Sequence, residues 1–151
     1  MKKHIVFIFF VWLTISPIAV AGNSAVIIMY HRFGENNFPS TNIKIEQFEQ
    51  HILKLKKENY SVLPISKILS NIKRRLPLPS KTVGITIDDG YKSIYTEAWP
   101  RLKKAGFPFT VFISTDFIGK SRPNRLTWSE IREMNNSGVD FGAHTASHAH
   151  A

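Results

Sequence analysis

Two adjacent carboxylates, Asp88 and Asp89, follow an apolar, β-branched segment and precede Gly90. Neighbouring carboxylates at the end of a buried strand repel each other and lose hydration, so a fold usually keeps them for a cation or a hydrogen-bond network. A simple Asp-Gly turn is the alternative, because both residue types favour turns. The pair by itself leaves both explanations open.

His144 and His148 form a second pair, in the segment His-Thr-Ala-Ser-His. A spacing of four lets two imidazoles converge on one side of a helical turn or tight loop, as in zinc sites with an H-x-x-x-H pattern. The pair is a weak signal by itself, because His150 makes the region generally rich in histidine. The chain contains no cysteine, so any metal site must use His, Asp or Glu.

Together the two pairs predict a catalytic metal site. Asp89, His144 and His148 would supply one oxygen and two nitrogens to a divalent metal and leave a position open for water, whereas a structural site is closed by four protein ligands. Asp88 would then act as general base, because a metal lowers the pKa of its water from 15.7 to about 7 and a carboxylate can take the remaining proton.

The elements that must position these residues alternate between strands and helices. Strands are predicted at 25–30, 62–63, 81–87, 109–113 and 139–143, and helices at 44–58, 66–75, up to 105, and from 127 to 138. Ser66 is the expected cap of the second helix, and Thr127 with Glu130 forms a capping box for the last. This order favours a parallel sheet or an α/β barrel, in which chemistry collects where strands end. His31, Asp88 and His144 all follow strands at that edge.

The first residues resemble a signal peptide. Lys2 and Lys3 precede an apolar run over 5–20, and Ala19-Val20-Ala21 offers a small-x-small cleavage site. We expect cleavage near Ala21, a secreted or periplasmic protein, and only transient membrane contact through this segment. An uncleaved anchor is the less favoured alternative, because the run is shorter than the ~20 residues that span a bilayer.

The net charge of +9 does not favour a nucleic-acid partner. Its basic residues lie in short clusters near predicted helix ends, where cations complement the helix dipole. We therefore predict solvated helix ends and no nucleic-acid binding.

Several segments resemble the polysaccharide deacetylases, the NodB-homology domain of carbohydrate esterase family 4. Thr-Ile-Asp-Asp-Gly at 86–90 is similar to the family's T-F-D-D-G motif, and 144–148 to its H-[ST]-x-x-H motif. The strand at 109–113 resembles A-T-F-F-V, and Met-Tyr-His-Arg-Phe at 29–33 resembles members acting on cell-surface poly-N-acetylglucosamine. The resemblance covers roughly residues 25–150 and keeps the order of the motifs.

The resemblance implies a partial, distorted (β/α) barrel, with 22–151 as the N-terminal part of the domain. It implies Asp88 as general base and Asp89, His144 and His148 as ligands of a metal, usually zinc, although Co²⁺, Ni²⁺ and Mn²⁺ accept the same ligands. The reaction would be hydrolysis of an N-acetyl, less often an O-acetyl, group on a glycan such as an N-acetylglucosamine polymer. His31 is a candidate substrate contact with a structural role equally favoured, and Tyr91 is another, for which a core role is more favoured.

The sequence also departs from the family's pattern. The family's later Arg-x-Pro-[Tyr/Phe], Asp-Trp and Leu-x-His motifs do not occur within these 151 residues. Arg122-Pro123 precedes the histidine motif and is interpreted as loop. The expectation is therefore a barrel truncated at its C-terminus, with an open parallel edge. The alternative function is a truncated, non-catalytic remnant that at most binds metal or glycan.

Overall fold

The computed structural model describes residues 24–119 and 122–149, so the predicted signal peptide at 1–21 lies outside the described residues. The strands in this part of the chain are β1 (Val26–Tyr30), β2 (Arg32–Phe33), β3 (Asn42–Ile43), β4 (Ser61–Val62), β5 (Thr82–Asp88), β6 (Thr110–Ile113) and β7 (Asp140–Ala143). The helices are α1 (Ile45–Lys57), α2 (Ile65–Lys73), α3 (Trp99–Ala105) and α4 (Trp128–Asn136). The alternation confirms the predicted α/β class.

The main sheet is parallel, with the strand order β1-β5-β6-β7, and β4 pairs with the start of β5. Tyr30 at the end of β1 lies opposite Ile87, and Ile113 at the end of β6 lies opposite Ala143 of β7. Because these strands end at nearly the same level, the residues that follow them collect at one edge of the sheet. The predicted gathering of strand ends is therefore present.

Strand β5 is the centre of the sheet, and all seven of its residues are buried. Such an apolar, β-branched strand is typical of a parallel sheet covered on both faces. Helix α2 approaches β5 at Gly84, where a Cβ atom would collide with the side chains of Ile65 and Ile27. Strand β1 lies at one end of the strand order and exposes Val26 and Met29.

Helix α1 is fixed by an aromatic cluster beneath it. Phe48 is 1% exposed, and its ring lies 4.7 Å from that of Phe33 and 5.3 Å from that of Tyr30, both in edge-on contacts. Such edge-to-face pairs add to the stabilisation that burial provides. The cluster anchors the segment that follows β1, which borders the predicted site.

Three local predictions were incomplete or wrong. Ser66 does not cap α2, because the fixed, extended backbone of Pro64 already starts the helix and places Ser66 inside its first turn. The segment between His31 and α1, for which the sequence predicted no strand, contains a small parallel sheet of β2 and β3. The helix after the acidic pair begins as a π-helical turn at Ile94–Ala98 and then continues as α3.

The capping box at the start of α4 is confirmed. The Thr127 backbone N–H donates to Oε2 of Glu130 at 2.9 Å, and the Glu130 N–H donates to the Thr127 hydroxyl at 3.3 Å. Among the described residues, none of the helices combines the length and apolar character that crossing a bilayer requires.

Candidate metal centre

The acidic loop, which we define as residues 88–93, leaves the buried end of β5. Asp88 and Asp89 are only 8% and 7% exposed. Asp89 has φ +73° and Gly90 φ +67°, so two consecutive residues adopt the left-handed conformation. This conformation is unfavourable for a residue with a side chain, and its presence at Asp89 marks a position where the fold imposes a particular direction on the carboxylate.

The histidine loop, residues 144–149, leaves the end of β7 and is tied to its neighbour β6. The His144 N–H donates to the carbonyl of Ile113 at 2.9 Å, and the buried hydroxyl of Ser114 donates to the His144 carbonyl at 2.8 Å. Thr145 and His148 have positive φ values of 60° and 57°. These turns bring both imidazoles to the edge where the acidic loop lies.

The two loops meet at a single oxygen atom. Oδ1 of Asp89 lies 3.1 Å from Nε2 of His148 and 3.4 Å from Nε2 of His144. Two ligands held about 2.0–2.1 Å from one tetrahedral ion lie about 3.3–3.4 Å apart, so these separations suit a shared ion. Within residues 24–119 and 122–149, these three are the group of His, Asp and Glu side chains that could hold a metal.

The environment of Asp89 also fits a cation. Its Oδ1 atom is buried, and no hydrogen bond of good geometry reaches it within the described residues. A buried carboxylate oxygen without a donor is costly unless a positive charge compensates it. A hard carboxylate oxygen with two imidazole nitrogens is a donor set that zinc and similar divalent ions accept.

Asp88 lies beside this group in an environment that disfavours its charge. Burial raises the pKa of its carboxyl group, and the neighbouring Asp89 adds to the rise, while His31, His144 and His148 oppose it. Oδ1 of Asp88 is also buried, and no described residue hydrogen-bonds to it. The electrostatic effect of His31 places this residue near the acidic pair, although its contact with substrate stays a prediction.

Tyr91 is 9% exposed and belongs to the core cluster. The guanidinium groups of Arg32 and Arg125 lie over its ring, at 3.5 Å and 3.9 Å from the ring centroid. Little of its ring is therefore free, and a role for Tyr91 in substrate binding also stays a prediction.

A groove of about 580 Å³ begins at the acidic loop, where Lys92 and Ser93 form part of its wall. Glu35 also lines this groove and forms a polar network, because it accepts hydrogen bonds from Arg32 at 2.7 Å and from Ser93 at 2.8 Å. The sequence analysis did not identify this network, because it joins residues about 60 positions apart through side chains alone.

The sequence analysis also missed Arg125. Its Nη1 atom donates to the backbone carbonyl of Asp89 at 2.5 Å. An arginine in a polar loop carries no motif, and no signal in the sequence links it to the acidic pair. Arg122 and Pro123 lie in the same loop, as predicted, and both are exposed.

Comparison with known proteins agrees with the fold and the motifs. The polysaccharide deacetylase family model matches residues 75–151. The chain is 33% identical over 124 residues to YxkH of Bacillus subtilis (strain 168). This alignment covers 81% of this chain and 42% of that protein. It is 30% identical over 141 residues to the poly-beta-1,6-N-acetyl-D-glucosamine N-deacetylase of Staphylococcus aureus, covering 82% of this chain and 48% of that one.

A solved structure of another protein has a similar fold. IcaB from Ammonifex degensii superposes with a TM-score of 0.73 at 29% identity, over 83% of this chain and 55% of that one. The chain belongs to the polysaccharide deacetylase family. It spans about half the length of the curated relatives that it matches.

Proposed function

We propose that this protein is a metal-dependent hydrolase that removes acetyl groups, chiefly N-acetyl groups, from an extracellular or cell-surface polysaccharide. The observation that carries the proposal is the position of Asp89 Oδ1, buried and within 3.4 Å of two imidazole nitrogens. Membership of the polysaccharide deacetylase family supports the reaction class.

In this proposal Asp89, His144 and His148 hold a divalent metal, with Zn²⁺ the favoured ion. The bound metal supplies Lewis acidity, which polarises a carbonyl group and makes water acidic enough to react near neutral pH. The half-exposed imidazoles, at 35% and 41% side-chain exposure, leave this side of the site accessible from solvent. A catalytic metal needs such access, whereas a structural one does not.

Asp88 is the proposed general base. Its burial next to Asp89 raises the pKa of the carboxyl group, which makes its carboxylate a better proton acceptor than an ordinary surface aspartate. In the hydrolysis, water adds its oxygen to the acetyl carbon and gives its proton to Asp88. The carbon–nitrogen bond then breaks as the nitrogen takes up this proton, so acetate is released and an amine is left on the sugar.

The proposed substrate is a polymer of N-acetylglucosamine. The Staphylococcus aureus relative is named for the β-1,6-linked polymer, and the strand end at 29–33 carries the similarity noted in the sequence. Export by the N-terminal segment, also a proposal, would bring the protein to such a substrate.

The test separates metal binding from turnover by means of Asp88→Asn. We expect this variant to bind Zn²⁺ like the unmodified protein but to release no acetate from a β-1,6-linked N-acetylglucosamine oligosaccharide, because the amide cannot accept the proton. Asp116→Asn is the matched control, since Asp116 is an exposed aspartate at the same edge of the sheet. Retained acetate release in Asp88→Asn would remove this residue from the base role.

A further inference from the structure

The loop at 122–126 is bound to the acidic loop along its backbone. The Leu126 N–H donates to the carbonyl of Gly90 at 2.9 Å, and the Lys92 N–H donates to the carbonyl of Asn124 at 3.0 Å. Between these two bonds, Tyr91 and Arg125 pair as neighbours in an antiparallel bridge. The backbone on one side of the acidic loop is therefore fixed by a segment more than 30 positions away in the chain.

Arg125 extends this attachment to Asp89 itself. Its guanidinium donates to the Asp89 carbonyl at 2.5 Å and at the same time lies over the ring of Tyr91, 3.9 Å from the ring centroid. Arg32 also lies over that ring, with its guanidinium carbon 3.5 Å from the centroid. A planar guanidinium that stacks on a ring and also donates a hydrogen bond to a carbonyl has little freedom to move.

The carbonyl that Arg125 holds belongs to a residue with a left-handed backbone conformation. Asp89 has φ +73°, and in this conformation its Oδ1 atom lies 3.1 Å and 3.4 Å from the two imidazole nitrogens. A change of this φ rotates the residue about its N–Cα bond, which would move the Asp89 carbonyl and Cβ atom together and turn the carboxylate away. A charge-assisted hydrogen bond to this carbonyl opposes that rotation.

We propose that Arg125 is a positioning residue of the metal site, which fixes the backbone of Asp89 so that its carboxylate faces His144 and His148. This inference rests on the proposed metal site. Arg125 acts through Asp89 and does not itself bind the metal.

The charge of Arg125 and its positioning contact with Asp89 should affect metal affinity in opposite directions, and this makes the inference testable. Arg125 places a positive charge near a cation site, so Coulomb repulsion alone would make metal binding tighter when the charge is removed. A positioning role predicts weaker binding after the same change. The direction of the change in metal affinity therefore distinguishes a positioning role from simple charge repulsion.

The experiment measures the Zn²⁺ affinity of the purified protein by competition with a chromophoric chelator. We expect Arg125→Met to bind Zn²⁺ about 10- to 100-fold more weakly, the usual cost of losing a residue that orients a metal ligand. Arg125→Lys, which keeps one donor, should recover part of the loss. Arg122→Met is the matched control, because Arg122 lies in the same loop but stacks on Phe117, and its affinity should stay unchanged.

The visible spectrum of bound Co²⁺ gives a second measurement, independent of affinity. We expect altered ligand-field bands in Arg125→Met and near-normal bands in Arg125→Lys. Unchanged or tighter Zn²⁺ binding in Arg125→Met, with Asp89→Ala still abolishing binding, would overturn the positioning role alone. Zn²⁺ binding that survives Asp89→Ala would overturn the metal site and this inference with it.

Discussion

The acidic loop and the histidine loop meet at one oxygen atom, yet the fold supports them very differently. The acidic loop follows the central, fully buried strand β5, and its neighbours at 122–126 hydrogen-bond to Gly90 and Lys92. The Asp89 side chain is only 11% exposed. Burial and hydrogen bonds therefore order the carboxylate side of the site without the help of a ligand.

The histidine loop follows β7, which lies at one end of the strand order β1-β5-β6-β7. The side chains of His144 and His148 are 35% and 41% exposed. One further backbone bond, from the Asp116 N–H to the carbonyl of Ala146 at 3.0 Å, supports the turn between them. This side of the site has more to gain from a ligand, because less of its order comes from packing.

The largest expected effect comes from removing a ligand on either side. Asp89→Ala should abolish measurable Zn²⁺ binding, since it removes the one charged ligand from a buried position. His148→Ala should weaken binding by about 100-fold, because a four-ligand zinc site of ~10–16 kcal/mol corresponds to roughly 3 kcal/mol for each ligand and water can replace an exposed imidazole. Isothermal titration with Zn²⁺ measures both.

His51→Ala is the control for the histidine change, because His51 lies on α1, bonds to the Tyr30 hydroxyl and is not in the group of residues that could hold the metal. Equal losses for Asp89→Ala and His148→Ala would mean that the two loops contribute alike, which would break the contrast between them.

The second prediction concerns hydrogen exchange of backbone amides with and without Zn²⁺. At zinc concentrations about 100 times Kd, local opening of the histidine loop should be suppressed by up to about 100-fold, because the ligand binds only the closed form. The acidic loop, already hydrogen-bonded through Lys92, should change by less than about threefold. Mass spectrometry of peptides covering 88–93 and 144–149 measures the two loops in one experiment. Protection of both loops to the same degree would show that the acidic loop is also ordered by metal.

The sequence could predict the centre of this site because its signals are local. A strand ending in two aspartates and a strand followed by two histidines are each visible in a few residues, and parallel topology brings such ends together. The order of the elements and the Thr127 capping box depend on equally local patterns, and both are confirmed.

The supporting contacts could not be predicted in this way. The bond from Arg125 to Asp89 and that from Ser93 to Glu35 depend on how distant loops pack, and nothing in the local sequence encodes them. Strands β2 and β3 have two residues each, which is too short for a period-two pattern. The base role of Asp88 stays a prediction, as do the signal peptide and the secretion.

The third prediction tests whether the Asp89 carboxylate lowers the stability of the metal-free protein. Asp89→Asn should stabilise the metal-free protein by about 1 kcal/mol, because it removes one of two adjacent buried charges and asparagine tolerates the left-handed conformation well. The same variant should bind Zn²⁺ poorly. Urea unfolding at pH 8 in the presence of a chelator measures the free energy of unfolding. A loss of stability would show that the Asp89 carboxylate supports the fold even without metal.

The smallest expected effect concerns Glu130, which links the start of α4 to Lys92 of the acidic loop. Burial alone would raise the pKa of Glu130, but hydrogen bonds from Lys92 and Thr127 outweigh it and hold the pKa below its ordinary value of 4.5. The charged form is therefore favoured by folding. Its stabilisation is present above pH 4.5 and is lost as the pH falls through the lower pKa of the folded protein.

Glu130→Gln should keep the capping box, since glutamine serves at this position, and remove only the charge. We expect a loss below about 1 kcal/mol at pH 7, because the ion pair is partly screened by solvent, and this loss should shrink as the pH falls through the lowered pKa of Glu130 in the folded protein. Thermal unfolding from pH 3 to pH 7 measures the difference. Glu46→Gln, an exposed change in the first turn of α1, should show no such pH dependence. A pH-independent loss of stability in Glu130→Gln would mean that this link between α4 and the acidic loop depends on packing. Charge at Glu130 would then not contribute to the difference between the two loops.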